Sequence, residues 1–111
     1  MTGIANVSVA LTRAELDLLL SLLGPVAADA WLFGSRVTGA AQRFSDVDVC
    51  ILRPTTPDLM AAIPAARTAC EESRFPYHVD ISRFDDLPPN LQETVRRLGV
   101  KLSLAVPTGE H

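Results

Sequence analysis

Two hydrophobic periods alternate along the chain, and they predict helices and strands in turn. Leucines recur at helical spacing over residues 13–23, and a Thr-x-x-Glu capping box at their start predicts an amphipathic helix. A second helix is predicted over residues 58–73, although Pro64 should kink or split it because proline removes a backbone donor. Paired prolines predict the start of a third helix over residues 88–98, and the glycine that follows predicts its end.

Short runs with a period of two lie between these helices and predict β-strands. An apolar run at residues 30–33 predicts a buried strand, and residues 46–52 and 77–82 alternate between apolar and polar side chains. Residues 100–104 predict a final strand. Residues 1–11 alternate only weakly, as an edge strand or a loose arm would.

Helices that alternate with strands in so short a chain predict a small α/β (α+β) fold. We expect a single domain over residues 1–111, with a small mixed β-sheet and helices packed mainly on one face. Three helices can cover only one face well, so the other face should stay open. The alternation of the strands makes the faces that carry Asp46, Asp48 and Asp80 the candidates for this open side.

The composition narrows the classes of protein that remain. Of the 111 residues, 48% are hydrophobic and 21% are charged, which is typical of a globular chain. The net charge of −3 opposes direct binding to DNA or RNA. Two cysteines are too few for a disulfide framework, and no apolar run is long enough to span a membrane. Because no signal peptide is visible, we expect a cytoplasmic protein.

The acidic residues of the predicted strands are candidates for a metal site. Asp46 and Asp48 lie two positions apart, so their side chains share one face. Together with Asp80, they would repel each other unless a cation lay among them. Magnesium prefers oxygen ligands and binds a few carboxylates together with phosphate oxygens, and two such ions commonly assist displacement at phosphorus. Taken alone, however, an Asp-x-Asp pair is more often a solvated polar face.

A glycine–serine pair directly follows the apolar run at residues 30–33. Gly34 would allow a phosphate to approach the backbone closely, and free N–H groups at a following helix start would bind it. Ser35 adds a hydroxyl donor, and Arg36 adds a guanidinium suited to phosphate oxygens. Gly-Ser alone is common in ordinary turns, so the inference depends on its combination with the acidic pair.

The combined pattern resembles a known family. The segments G-S-R-V-T-G at residues 34–39 and S-D-V-D-V at residues 45–49 are similar to the G-S-x-x-x-G…S-D-x-D signature of the DNA polymerase β-like nucleotidyltransferase superfamily. The resemblance is strongest to its smallest branch, the minimal nucleotidyltransferases that are often encoded beside HEPN-domain proteins. Asp80 offers the third carboxylate that the family carries on a later strand. Thr38 departs from the pattern, because many minimal members have a second arginine there.

The resemblance implies a role for each matched residue. The residues expected to bind the nucleotide are Gly34, Ser35, Arg36, Gly39 and Ser45. Asp46 and Asp48 would bind two Mg²⁺ ions, and Asp80 would join the ion nearer the attacking hydroxyl and help to remove its proton. ATP would be the substrate: AMP would pass to an acceptor hydroxyl, and pyrophosphate would leave.

The acceptor is expected to come from another protein, because only 31 residues follow Asp80. The resemblance implies a HEPN-domain toxin in a hetero-oligomer, modified on a hydroxyl such as that of tyrosine and thereby neutralised. Two alternatives stay open. One is a non-catalytic antitoxin that inhibits its partner by binding it and at most binds nucleotide. The other is a small-molecule nucleotidyltransferase of the aminoglycoside type, completed by a partner chain.

Overall fold

A four-stranded mixed sheet forms the centre of the computed structural model, which describes residues 7–53 and 56–108. The elements follow one another as β1 (Val7–Val9), α1 (Arg13–Leu23), β2 (Ala30–Phe33), α2 (Ser35–Thr38), β3 (Val47–Ile51), α3 (Pro57–Glu71), β4 (Val79–Arg83), α4 (Pro89–Leu98), β5 (Val100–Lys101) and β6 (Ala105–Pro107). Short 3₁₀ segments occupy Gly24–Asp29, Phe84–Asp86 and Leu102–Leu104. This architecture confirms the predicted fold class.

The strand order in the main sheet is β4-β3-β2-β5. β3 runs parallel to β4, whereas β2 runs antiparallel to both β3 and β5. The register pairs Asp48 with Phe33 on one side and with Asp80 on the other. β1 and β6 form a separate parallel pair, in which Val7 lies beside Ala105.

Helices α1 and α3 cover one face of the main sheet and form the larger core with it. The capping box predicted for α1 is present: the Thr12 hydroxyl accepts a hydrogen bond from the Glu15 N–H at 3.1 Å, and the Thr12 N–H donates to Glu15 Oε1 at 2.9 Å. The buried side chains between these helices and the sheet are Leu16, Leu19, Leu23, Leu32, Val47, Val49, Ile51, Ile63 and Ile81. Burial of this apolar surface is the main stabilising contribution to the fold.

The opposite face of the sheet is covered at one end only. Val95 of α4 packs there with Phe33 and Cys50 in a second, smaller cluster. The other end of this face carries Asp46, Asp48 and Asp80, of which the first and last are exposed. The expectation that the acidic residues would occupy an open part of the sheet therefore agrees with the structure.

The second long helix runs unbroken through its internal proline. α3 contains Pro64 and continues to Glu71, so of the kink or split expected at this proline the split does not occur. Pro64 is exposed, so its ring faces solvent, and water can reach the carbonyl that loses its backbone partner. The hydrogen bonds on either side of the proline are enough to continue the helix.

The C-terminal part of the chain differs from its prediction. The strand expected over residues 100–104 is limited to Val100–Lys101, and a 3₁₀ segment follows because Leu102 turns into the core. β6 then pairs with β1, which confirms that part of the weakly alternating N-terminal segment is a strand. Residues 1–6 lie outside the described residues. Among the described helices, none is long and apolar enough to cross a membrane.

Candidate active site

Three aspartates from two neighbouring strands lie on the open part of the sheet. Asp48 and Asp80 are register partners on parallel strands, so their side chains leave the same face side by side. Asp46 directly precedes β3 and lies two residues before Asp48, which places it on that face as well. Asp48 is half-buried, whereas its two neighbours are exposed. The structure therefore places the three carboxylates predicted to bind metal on one part of the sheet, where Asp46 and Asp80 lie near enough to act on the charge of Asp48.

The charges of these groups act on one another. Burial raises the pKa of Asp48 above its usual value, and the negative charges of Asp80 and Asp46 raise it further. The nearby His78 acts in the opposite direction. A positive charge placed among the three carboxylates would relieve this repulsion.

The donor set fits magnesium by its chemistry, because all three side chains offer hard oxygen ligands. Among residues 7–53 and 56–108, no three His, Cys, Asp or Glu side chains already meet in the arrangement of a metal site. Asp46 and Asp80 are exposed, so their carboxylates can turn towards a cation without any repacking of the core. We therefore expect the ion, together with the phosphates of a nucleotide, to draw the ligands together.

Gly34 brings the glycine–serine turn against the acidic residues. Its φ of 83° lies in the left-handed region that favours glycine. A Cβ at this position would collide with Asp48 Oδ2 and would lie 3.2 Å from the Asp48 Cγ. Only glycine allows the turn and the carboxylate to occupy this space together. Two motifs that are separated in sequence thus form one site.

The other residues predicted to bind nucleotide lie around this contact. Ser35 is the first residue of α2 and is half-buried, and Gly39 ends that helical turn with a φ of 88°. Ser45 lies in the loop before β3, where its hydroxyl accepts a hydrogen bond from the Gln42 N–H at 2.8 Å. The binding of phosphate by these residues stays a prediction.

Arg36 occupies a different environment from the one that its motif suggests. It is buried, with 6% of its surface exposed. Its Nη1 donates to the carbonyl oxygen of Ala10 at 2.9 Å, and its Nη2 donates to that of Ser45 at 2.8 Å. The guanidinium also lies 3.8 Å from the centre of the Tyr77 ring. Sequence reasoning missed both Ala10 and Tyr77, because no local pattern links either of them to Arg36.

Cys50 shares the face of the acidic residues but is fully buried under α4. Burial, with a smaller contribution from the charge of Asp85, raises the pKa of this thiol to about 11. The thiol is therefore protonated at neutral pH, and it packs as a small apolar side chain.

Comparison with known proteins decides the family. The family model described as "Polymerase beta, Nucleotidyltransferase" matches residues 25–103, which is more than half of the chain and includes every residue of the site. The chain belongs to this nucleotidyltransferase family. The match confirms the resemblance read from the glycine–serine and acidic motifs, and with it the predicted enzyme class.

Individual relatives agree with this family. The chain is 29% identical over 102 residues to the "Probable protein adenylyltransferase MntA" of Haemophilus influenzae, and the match covers 90% of this chain and 87% of that protein. A solved structure, "Crystal structure of the toxin-antitoxin with AMP-PNP", superposes with a TM-score of 0.52 at 24% identity. This superposition covers 83% of the present chain and 73% of the other, and it supports the nucleotidyltransferase fold.

Proposed function

We propose that this protein transfers AMP from ATP to a hydroxyl group of a partner protein and thereby acts as an antitoxin. The observation that carries the proposal is the contact of Gly34 with Asp48, beside Asp80, on the open part of the sheet. The similarity to a protein named as a probable protein adenylyltransferase supports AMP transfer to protein. The fold shared with a toxin–antitoxin structure that contains AMP-PNP, an analogue of ATP, supports both the nucleotide and the biological role.

The proposed reaction is a displacement at phosphorus. The oxygen of the acceptor hydroxyl attacks the α-phosphorus of ATP, and a new phosphorus–oxygen bond forms. The bond between that phosphorus and the bridging oxygen of pyrophosphate breaks, and pyrophosphate leaves with the electron pair. The proton of the hydroxyl passes to the carboxylate of Asp80, which is exposed and can meet an acceptor that approaches from solvent.

The three carboxylates would share the binding of the metal ions. Asp46 and Asp48 would hold two Mg²⁺ ions, and Asp80 would join the ion nearer the acceptor. When bound, these ions supply positive charge that stabilises the phosphate oxygens in the transition state. Gly34 and Ser35 would hold the triphosphate, because glycine lets it approach the backbone and serine offers a hydroxyl donor. Electrostatic repulsion among the carboxylates disfavours the site without cations, which couples metal binding to its assembly.

We further propose that the acceptor is a tyrosine of a HEPN-domain toxin, as the resemblance to minimal nucleotidyltransferases implies. The open face of the sheet leaves Asp80 accessible to a side chain of a second protein. Transfer of AMP to such a side chain would add bulk and negative charge and would neutralise the toxin.

The decisive experiment follows the two ends of ATP separately. The purified chain is incubated with Mg²⁺, a HEPN-domain protein as the proposed acceptor, and ATP labelled at either the α- or the γ-phosphate. We expect the α-label on the partner protein and no γ-label there, because AMP is transferred and pyrophosphate leaves. Asp46→Asn, Asp48→Asn and Asp80→Asn should each lower labelling by about 100-fold or more, as loss of metal-binding or proton-accepting groups does.

Asp17→Asn, the same change on the exposed side of α1, is the matched control and should label as the wild-type chain does. Neutralisation of the toxin that survives all three active-site changes would instead identify an antitoxin that works by binding alone. Label on an added aminoglycoside and none on protein would identify a small-molecule nucleotidyltransferase.

A further inference from the structure

We infer that Arg36 is a positioning residue that holds together the backbone segments leading into the acidic strands. This inference rests on the proposed function, since it assigns how that site is assembled. The motif by itself suggests a phosphate contact for Arg36. Its burial and its three contacts point instead to a role inside the protein, in which the guanidinium fixes the geometry of the site without touching the nucleotide.

The first contact fixes the entry to β3. Arg36 Nη2 donates at 2.8 Å to the carbonyl oxygen of Ser45, the residue directly before Asp46. A hydrogen bond from a charged donor is stronger than one between neutral groups, so it restrains the backbone at this point. The position of Asp46 therefore depends on a residue of the glycine–serine turn.

The second contact fixes the entry to β4. The guanidinium of Arg36 lies over the ring of Tyr77, three residues before Asp80, at 3.8 Å from its centre. The ring is held in turn by an edge-to-face contact with Phe75, at 5.9 Å between centres. The backbone carbonyl oxygen of the next residue, His78, accepts a hydrogen bond from the Val47 N–H at 2.9 Å. This bond joins the starts of the two acidic strands.

The third contact ties α2 to the small sheet. Arg36 Nη1 donates to the carbonyl oxygen of Ala10 at 2.9 Å, and the Ala10 N–H donates back to the Arg36 carbonyl at 2.8 Å. This reciprocal pair connects the short helix that begins at Ser35 to the segment directly after β1. The segment before β3, the segment before β4 and the segment after β1 thus all contact the guanidinium of Arg36.

The burial of Arg36 is not free of cost. Its Nε is buried without a hydrogen-bond partner, and an unpaired buried donor disfavours folding. An arginine that served only to stabilise the fold could be replaced by an apolar side chain without this cost. An arginine that served to bind phosphate would present N–H groups to solvent. The arrangement instead suits a residue whose planar group joins two carbonyls and a ring in fixed directions.

The test distinguishes a positioning role of Arg36 from a direct contact with the nucleotide. In Arg36→Lys the charge remains, but a lysine has no planar group that can donate to both carbonyls while its face lies against the ring. We expect kcat for AMP transfer to fall by about 100-fold, as small misplacements of reacting groups do, with the KM for ATP changed less than about threefold. The Kd of AMP-PNP measured by calorimetry without metal should stay unchanged, whereas Mn²⁺ should bind more weakly to the protein–AMP-PNP complex in paramagnetic resonance titrations.

Variants of Tyr77 provide an independent arm, because this residue lies outside the sequence motif. Tyr77→Leu should lower kcat and Mn²⁺ affinity in the same direction, whereas Tyr77→Phe keeps the ring and should behave as the wild-type chain. In the double variant with Arg36→Lys, the losses should not add, because both changes break one contact. Arg74→Lys, at an exposed arginine between α3 and β4, is the control for the lysine substitution.

Each result either supports or overturns the inference. A Kd for AMP-PNP that rises by about 10-fold or more in Arg36→Lys, with the Kd of adenosine unchanged, identifies a phosphate contact and overturns it. Normal kcat and Mn²⁺ affinity in Tyr77→Leu also overturn it. Failure of the wild-type chain to label any acceptor counts against the proposed function alone, since the Mn²⁺ and AMP-PNP titrations test Arg36 without any transfer. Thermal unfolding shows that each variant is folded at the temperature of these measurements.

Discussion

At the scale of single residues, Asp48 combines partial burial with two neighbours of the same charge. Its ionised form is disfavoured by both, and the raised pKa of Asp48 expresses this. A cation or a proton removes the penalty. A residue proposed to bind metal is thus also a source of instability in the metal-free protein.

This penalty predicts a pH-dependent stability. The pKa of Asp48 is higher in the folded protein than its usual value of 3.8, so the folded state holds the proton more tightly than the unfolded state does. Stability therefore falls as the pH rises from 3.8 through the raised pKa. Asp48→Asn removes the charge and should unfold at a higher temperature than the wild-type chain near pH 7 without divalent ions. The difference in unfolding temperature should shrink below the usual pKa of 3.8, where the Asp48 carboxyl is protonated in both the folded and the unfolded state. Thermal unfolding from pH 3 to pH 8 measures it.

Asp17→Asn, on the exposed side of α1, serves as the control and should follow the wild-type pH dependence. Added Mg²⁺ should raise the unfolding temperature of the wild-type chain more than that of Asp48→Asn. A lower stability of Asp48→Asn near pH 7 would contradict the argument.

Gly34 leads to a second prediction at this scale. An added Cβ would collide with Asp48 Oδ2, so Gly34→Ala should displace either the turn or the carboxylate and lower AMP transfer by about 100-fold. Gly24→Ala is the matched control, because Gly24 also has a positive φ, of 56°, but a Cβ there meets no atom within 4 Å. This control should lose only stability, by about 1–2 kcal/mol from backbone strain, and keep its activity. Equal activities of the two variants would show that the close approach does not matter.

The site could be predicted from sequence only as far as its local patterns reach. The spacing of Asp46 and Asp48 on a strand reveals their shared face, and the turn at Gly34 is marked by its glycine and the strand before it. The environment of Arg36 could not be predicted, because Ala10 and Tyr77 approach it from distant parts of the chain. A long-range contact of this kind leaves no periodic signal.

At the scale of elements, the helices and the central strands were predicted to within a few residues because their apolar positions repeat regularly. The helix predicted over residues 58–73, for example, is α3 (Pro57–Glu71). The last strands were not predicted this accurately, because β5 and β6 are two and three residues long and too short to show a period. Their positions follow from the partners available, β2 for the first and β1 for the second.

The internal proline of α3 offers a prediction at this scale. Pro64 removes a backbone donor in the middle of the helix, a position where proline commonly costs about 3 kcal/mol relative to alanine. Because Pro64 is exposed and its surroundings can relax, we expect Pro64→Ala to stabilise the protein by about 1–3 kcal/mol. The midpoint of denaturant unfolding should rise accordingly.

Pro57→Ala makes the same change at the first position of the same helix. Proline is favoured there because no intrahelical bond is lost, so this variant should gain no stability. A gain at Pro57 equal to that at Pro64 would show that the backbone donor lost in the helix interior is not the cause of the effect.

At the scale of the whole molecule, the first and last described segments are joined. β1 and β6 run in parallel, and the Val9 carbonyl oxygen accepts hydrogen bonds from both the N–H and the hydroxyl of Thr108, at 3.0 and 2.8 Å. The next residue, Ala10, contacts Arg36. The pair of β1 and β6 is therefore connected to the candidate active site through two short links.

This connection predicts the effect of a nearly isosteric change. Thr108→Val removes the side-chain hydrogen bond to Val9 but keeps the backbone one, and it should lower the free energy of unfolding by about 0.5–1.5 kcal/mol. Thr94→Val is the control, since the hydroxyl of Thr94 bonds only to Asn90 within α4, and its loss should cost close to nothing. Chemical denaturation of both variants gives the comparison, and equal costs would show that the joined ends add no stability.

The pairing of β1 with β6 also determines when a newly made chain can finish folding. Val7 is synthesised well before its partner Ala105, because the whole of the main sheet lies between them in sequence. At about 5–20 residues per second, the first strand waits roughly 5–20 s for the last one. Until β6 emerges from the ribosome, the nascent chain therefore lacks the hydrogen bonds of Thr108 to Val9, the residue before the Ala10 contact with Arg36. In the proposed role as an antitoxin, each copy would become protective only after β6 has left the ribosome.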